Sequence, residues 1–166
     1  MKTLVIGYGN SLRGDDGVGP LVAEQVAEWN LPEVRSLFIH QLTPELAADI
    51  AQVETVFFID AWQIVNTQSP PSLVGDLGSE CKIERLFPTP SPTSLDHTWS
   101  PNTLLYLAKI LYDADPITYH ILIPAIQFNY GETLSTIASD GLTWSIKALK
   151  NYLASPQSLT GRICHA

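Results

Sequence analysis

Two aspartates stand side by side in VIGYGNSLRGDDGVGP, residues 5–20, inside a glycine-punctuated turn of the kind that elsewhere cradles phosphate. Their charge is wrong for that ligand. Counted from Gly9, the spacing of a P-loop reaches Gly14, but Asp15 and Asp16 occupy the places of its lysine and its hydroxyl residue. A dinucleotide fingerprint fails too, because Leu12 holds the position of its third glycine and His40 sits near that of the ribose-binding acid. A dinucleotide-dependent oxidoreductase is therefore disfavoured. A second acid, Asp60, ends the apolar run in FFIDAW. Two carboxylates brought to one place repel each other unless something positive joins them. A shared proton is one solution, although neither acid lies in the glycine-containing turn of the aspartic proteases. A divalent cation is the other. A third ligand is then available in His97 of LDHTWSP. Two carboxylates and an imidazole suit nickel, zinc, manganese or cadmium and leave coordination positions open, without selecting among these metals.

Each residue also has a plainer role. Asp15 can meet the positive end of the helix that follows it, Asp60 can cap a turn, and His97 can be a loop histidine with a single hydrogen bond. The cation reading rests on their convergence, and that depends on the elements carrying them. KTLVIGYG reads as a buried strand entering a glycine turn, followed by helical apolar spacing in GVGPLVAEQVAEW. VRSLFIH and ETVFFIDAW read as further strands, with TPELAADIAQ a short helix between them. After a turn-rich loop, CKIERLF has the polar alternation of an edge strand. The long loop PTPSPTSLDHTWSPN leads to the helix TLLYLAKILYDA, the strand ITYHILIPAI and a closing helical stretch, 133–154, in which Gly141 is a candidate break. This alternation predicts a three-layer α/β/α sandwich with a mostly parallel five-stranded sheet and an antiparallel edge strand.

In such a sheet the first and third strands are neighbours, and ligands bind beyond the carboxyl ends of strands where the winding reverses. Asp16, just past the first strand, and Asp60, ending the third, are thereby expected on one rim. His40 falls on that rim as a neighbour. His120 lies within a strand and is read as structural, and His165 sits in the tail.

The chain of 166 residues is expected to form a single domain, 1–166, with a loosely ordered tail over 155–166. Seventeen acids against nine bases give a net charge of −8, with no basic cluster, which disfavours nucleic acid as a partner. No apolar run approaches the roughly 18 residues of a membrane span, and glycines and charges interrupt the first apolar stretch before a signal-peptide core is complete. A cytoplasmic protein, acting as a monomer and away from membranes, is the expectation. Cys81 and Cys164 lack metal-site or redox spacing and read as ordinary thiols.

GYGNSLRGDDGVGP, the strand ending in Asp60, the loop histidine His97 and a looser likeness through ILIPAIQFNYGETLS together resemble the hydrogenase maturation endopeptidases, processing proteases of nickel–iron hydrogenase large subunits. The resemblance implies a metal-contacting acid, acid and histidine at Asp16, Asp60 and His97. It also implies the reaction: removal of a carboxy-terminal extension from the nickel-loaded precursor, with nickel carried by that precursor and bound only transiently. The chain departs from the family pattern after the second strand, where HQLTPEL replaces an Asp-Gly-Gly-Thr-like segment, and after the last, where Pro124 is followed by Ala125. No zinc-protease helix, serine elbow or cysteine at a strand-to-helix turn competes for the chemistry. The contrasting class is a nickel chaperone or assembly scaffold that uses the same three residues without cutting anything. The absence of a histidine-rich tract weighs against it.

Overall fold

A computed structural model describes residues 2–64, 81–90 and 99–155 of the chain. Five strands form one sheet: β1 (Thr3–Tyr8), β2 (Val34–Ile39), β3 (Thr55–Gln63), β4 (Lys82–Leu86) and β5 (Ile117–Ala125), in the order β2-β1-β3-β5-β4. β1 is parallel to both β2 and β3, β3 is parallel to β5, and β4 runs antiparallel on the edge. The expected architecture is present. The expectations for the tail beyond 155, for Cys164 and His165, and for most of both long loops fall outside the described residues.

Strand alternation divides the core into two layers. Val5, Phe57, Tyr119 and Ile121 project to one face and meet α1 (Val18–Ala27) and α4 (Thr136–Ala154) through Val22, Val26, Ala138 and Leu149. Leu4, Ile6, Val56 and Phe58 project to the other and meet α2 (Leu46–Ile50) and α3 (Pro101–Tyr112) through Ala47, Ile50, Leu104 and Ala108. The central strands are sealed on both sides, so their sequences are apolar without a break. Tyr152 of α4 sets its ring edge-on against Phe57 and Tyr119, at centroid distances of 5.0 and 5.8 Å.

α3 starts two residues before the apolar pattern suggests. The hydroxyl of Ser100 accepts a hydrogen bond from the Thr103 amide, and Pro101 supplies the preset first turn. Gly141 does not break the last helix. It lies where α4 presses closest on the sheet, and a Cβ there would stand 2.6 Å from Ile123 Cγ2 and 3.1 Å from Cys81 Sγ. The missing side chain serves interlayer contact rather than chain reversal. Gly141→Ala gains about 1 kcal/mol of helix propensity but must displace a buried strand residue, and overpacking of that kind costs about 1–3 kcal/mol. Urea denaturation should therefore show the variant less stable than the wild type, the reverse of the propensity order.

Candidate functional site

The winding reverses between β1 and β3. α1, which follows β1, packs on one face, while α2, which leads into β3, packs on the other. The crevice beyond the carboxyl ends of these two strands is the place where such folds bind ligands. Asp16 reaches it from a short 3-10 helix, Gly14–Gly17, between β1 and α1. Asp60 reaches it from β3, on the face that carries Phe58.

Gly9 gives the turn after β1 its shape. Its φ is +140°, and a Cβ would stand 2.0 Å from the Asp16 carbonyl oxygen, so only glycine allows the turn to fold back this tightly. The Asn10 amide, next in the chain, donates to Asp16 Oδ2 at 3.1 Å, and Asn10 Oδ1 accepts from the Leu12 amide at 3.0 Å. The Asp16 carboxylate is thus oriented by the loop that carries it.

Asp15 does something other than meet the positive end of α1. Its carboxylate is completely buried and accepts hydrogen bonds from the amides of Ile126 and Gln127, both at 2.9 Å, and from the amide and hydroxyl of Ser135, both at 2.7 Å. Ser135 is also the N-cap of α4, its hydroxyl oxygen accepting from the Ala138 amide. Backbone bonds from Gly14 to Gly131, from Asp15 to Gln127 and from Gly131 to Leu12 complete the seam. Burial raises the proton affinity of Asp15, but the four hydrogen bonds outweigh it, and the net displacement is below the usual carboxylate range. One residue of the aspartate pair is therefore structural, and its neighbour faces the crevice.

Asp60 is tuned the other way. Burial is the main cause, partly opposed by hydrogen bonding from the Tyr8 hydroxyl and the Ala61 amide, and the charge of Asp16 pushes in the same direction as burial; the result is a carboxyl pushed up to about 6. Asp16 lies close enough for its charge to add, as the smallest of the causes, to the raised proton affinity of Asp60, and carboxylates are the donors that hard divalent cations favour. Among the described residues no three His, Cys, Asp or Glu side chains converge as a metal-binding group. The structure brings Asp16 and Asp60 together. His97, the expected third member, lies outside the described residues. His40 follows β2 on the same rim, exposed to solvent.

Tyr8 went unnoticed in the sequence. It ends β1 one step beyond the Gly7–Ile59 pair, which sets it beside Asp60 on the adjacent strand. Burial chiefly, and then the Asp60 charge, pushes its phenol far above the usual value, so it stays protonated. Its hydroxyl also lies 3.1 Å from Nε2 of His120, whose imidazole is driven down to about 4 by burial. A tyrosine between two glycines at a strand end, with the same facing as Asp60, was the available signal. Cys81 is half buried, with its thiol pushed up to about 12 by burial and directed at the Gly141 carbonyl. It is no nucleophile.

The strand order and helix placement define a doubly wound α/β protein, with Asp16 and Asp60 near its switch point. No protein-family model matches the sequence, and no curated protein matches it. Solved structures do. The chain is similar to the NiFe hydrogenase maturation protease HycI of Thermococcus kodakarensis, with 21% identity over 93% of each chain and a TM-score of 0.66. The hydrogenase maturating endopeptidase HybD of E. coli shares 17% identity over 94% of each chain, with a TM-score of 0.65. A hydrogenase 2 maturation peptidase from a Thaumarchaeota archaeon shares 21% over 93% of this chain and 99% of its own, with a TM-score of 0.62. At these identities the shared property is the fold, and it extends over nearly the whole length of each protein.

Replacing Asp15 with Ala leaves three amides and a hydroxyl without their acceptor, and should destabilise the protein by about 3 kcal/mol in urea denaturation. Since the folded-state pKa of Asp15 is depressed, its contribution is present above its unfolded value and is lost as pH falls through the folded one. Asp60 has the opposite sign. With its pKa raised from 3.8 to about 6, it favours the folded state fully below the lower value, and that contribution is lost as pH rises through the higher. Asp60→Asn should therefore be more stable than the wild type at pH 7, by about 1–3 kcal/mol. The gain should vanish near pH 3.5, and equal stability at both pH values would contradict the burial that raises the Asp60 pKa.

Proposed function

We propose that the chain is an endopeptidase that removes a carboxy-terminal extension from the nickel-loaded precursor of a nickel–iron hydrogenase large subunit. The observation that carries this reading is the half-buried Asp60 carboxyl, facing Asp16 at the switch point of a fold shared end to end with hydrogenase maturation proteases. In this reading Asp16, Asp60 and His97 dock on the nickel already held by the precursor, so the metal of the substrate reports that assembly is complete. Recognition and licensing become one event.

The metal supplies positive charge and Lewis acidity to the scissile region. The protein supplies the rest. Asp16 is held by the Asn10 amide and presents a fixed anionic ligand. Asp60 presents the second carboxylate; one of the two aspartates acting instead as general base toward water is the alternative division of roles. Thiol chemistry at Cys81 is disfavoured by its burial. Among the described residues no helix is long and apolar enough to cross a membrane, which accords with a partner met in solution.

The test is to incubate the protein with nickel-loaded precursor and weigh the product. Cleavage should appear as loss of the extension from the precursor mass, whereas a nickel carrier leaves that mass unchanged. Asp16→Ala should abolish processing, by at least about 100-fold, as expected when a group acting directly on the metal or the reacting atoms is removed. Its thermal unfolding should match or exceed that of the wild type, because removing one acid relieves the repulsion on Asp60. Full processing by this folded variant would defeat the proposal.

A further inference from the structure

The indole nitrogen of Trp62 is a donor without an acceptor. Among the described residues, its Nε1 is shut off from solvent and has no hydrogen-bond partner. A buried N–H left unpaired forfeits the bonds it would make to water, so native proteins keep few of them and each calls for a physical reason. The position of Trp62 supplies one. Strand alternation sets it on the same face of β3 as Asp60, one side-chain repeat nearer the carboxyl end, about 7 Å farther along the strand. In register, Asp60 pairs with Leu122 of β5, Leu122 with Lys82 of β4, and Trp62 with Pro124. These five side chains therefore share one surface at the outer end of the sheet, next to the crevice. The core cluster on this face includes Phe58 but neither Trp62 nor Leu122. Both are partly exposed and Lys82 is exposed, so a ligand can reach the indole edge without entering the core.

The chemistry of the surface narrows what that ligand is. Lys82 Nζ stands 3.7 Å from the centroid of the Trp62 ring. A cation over the ring is held by its π density, and by drawing on that density it leaves the indole hydrogen a stronger donor. Indole nitrogen only donates, so the ligand must bring a lone pair. The nearby charges of Asp60 and Asp16 repel an anion, which favours a neutral oxygen such as a peptide carbonyl. An extended peptide covers about 7 Å in two residues, the same step that separates Asp60 from Trp62. We propose that the Trp62 N–H receives a backbone carbonyl oxygen of the precursor, about two residues from the bond that is cut. Trp62 then binds main chain, and it fixes the register of the substrate over Asp60. The identity of the peptide rests on the function proposed above; the unpaired donor beside Asp60 does not.

The chain has four tryptophans, so four indole N–H signals appear in nitrogen–proton NMR, and the one missing from Trp62→Phe belongs to Trp62. The probe is a synthetic peptide that copies the precursor from before the cut through its carboxy-terminal extension, and it carries no nickel. In the free protein the Trp62 signal should lie at high field, as an N–H without an acceptor does, and millimolar peptide should move it to low field. Trp62→Phe keeps an aromatic ring and removes the donor. Its thermal unfolding should match or exceed that of the wild type, because the lost N–H had no partner, whereas a purely structural indole would make the variant less stable. With nickel-loaded precursor its KM should rise about tenfold, with kcat within about twofold, as when a contact made equally in the ground and transition states is lost. A Trp62 signal already at low field in the free protein, a signal unmoved by the peptide, or a variant KM within twofold of the wild type would overturn the proposal. If the peptide moves the signal but the wild type leaves nickel-loaded precursor uncut, the peptidase reading falls and the peptide contact stands. If precursor is cut and Trp62→Phe cuts it with an unchanged KM, the Trp62 contact falls alone.

Discussion

A carboxylate sealed from solvent is tolerated only when its surroundings donate hydrogen bonds to it, and the Asp15 side chain receives four from a segment more than a hundred residues away in the chain. That requirement fixes the loop after β1 against the segment after β5 and against the first turn of α4. Asp16 is the next residue, so its direction into the crevice follows from the burial of its neighbour. The two acids of one dipeptide do opposite work because the 3-10 turn sends their side chains to opposite sides of the loop. Anything that loosens the seam at Ser135 or Gln127 would also loosen Asp16.

The crevice accepts a local destabilisation that the rest of the molecule offsets. Asp60 is taken out of water and set near a second negative charge, so its ionised form is less favourable folded than unfolded. A core sealed on both faces of the sheet, by Phe57 and Tyr152 on one side and by Phe58 and Leu104 on the other, supplies stability well away from the site. Active sites are commonly built this way, with an unfavourable charge arrangement that a ligand relieves.

Much of the architecture was legible because burial leaves a direct trace in composition. Strand segments covered on both faces must be apolar, as LVIG and VFFI are, and the turn after the first must contain glycine where the backbone folds back on Asp16. The neighbouring positions of β1 and β3 followed from the rules of right-handed winding, and with them the shared rim for Asp16 and Asp60. Less was legible where one residue type serves two ends. Gly141 signals a helix break in sequence, yet here it provides a close approach between α4 and the sheet. Asp15 has the position of a helix-terminus acid, yet its hydrogen bonds go to a segment that no local pattern connects with it.

The sequence by itself determined the alternation of elements and the apolar faces, because each of these depends on near neighbours and on the periodicity of a single element; Asp60, expected to end the third strand, lies within β3, which continues to Gln63. Only the tertiary structure decided which aspartate is buried, that Asp60 is pushed up to about 6, and that the Tyr8 hydroxyl meets His120. Those outcomes depend on desolvation and on hydrogen bonds between strands that are remote in the chain. Both quantities are set by which surfaces are pressed together, and a linear order of residues does not specify that until the layers have packed.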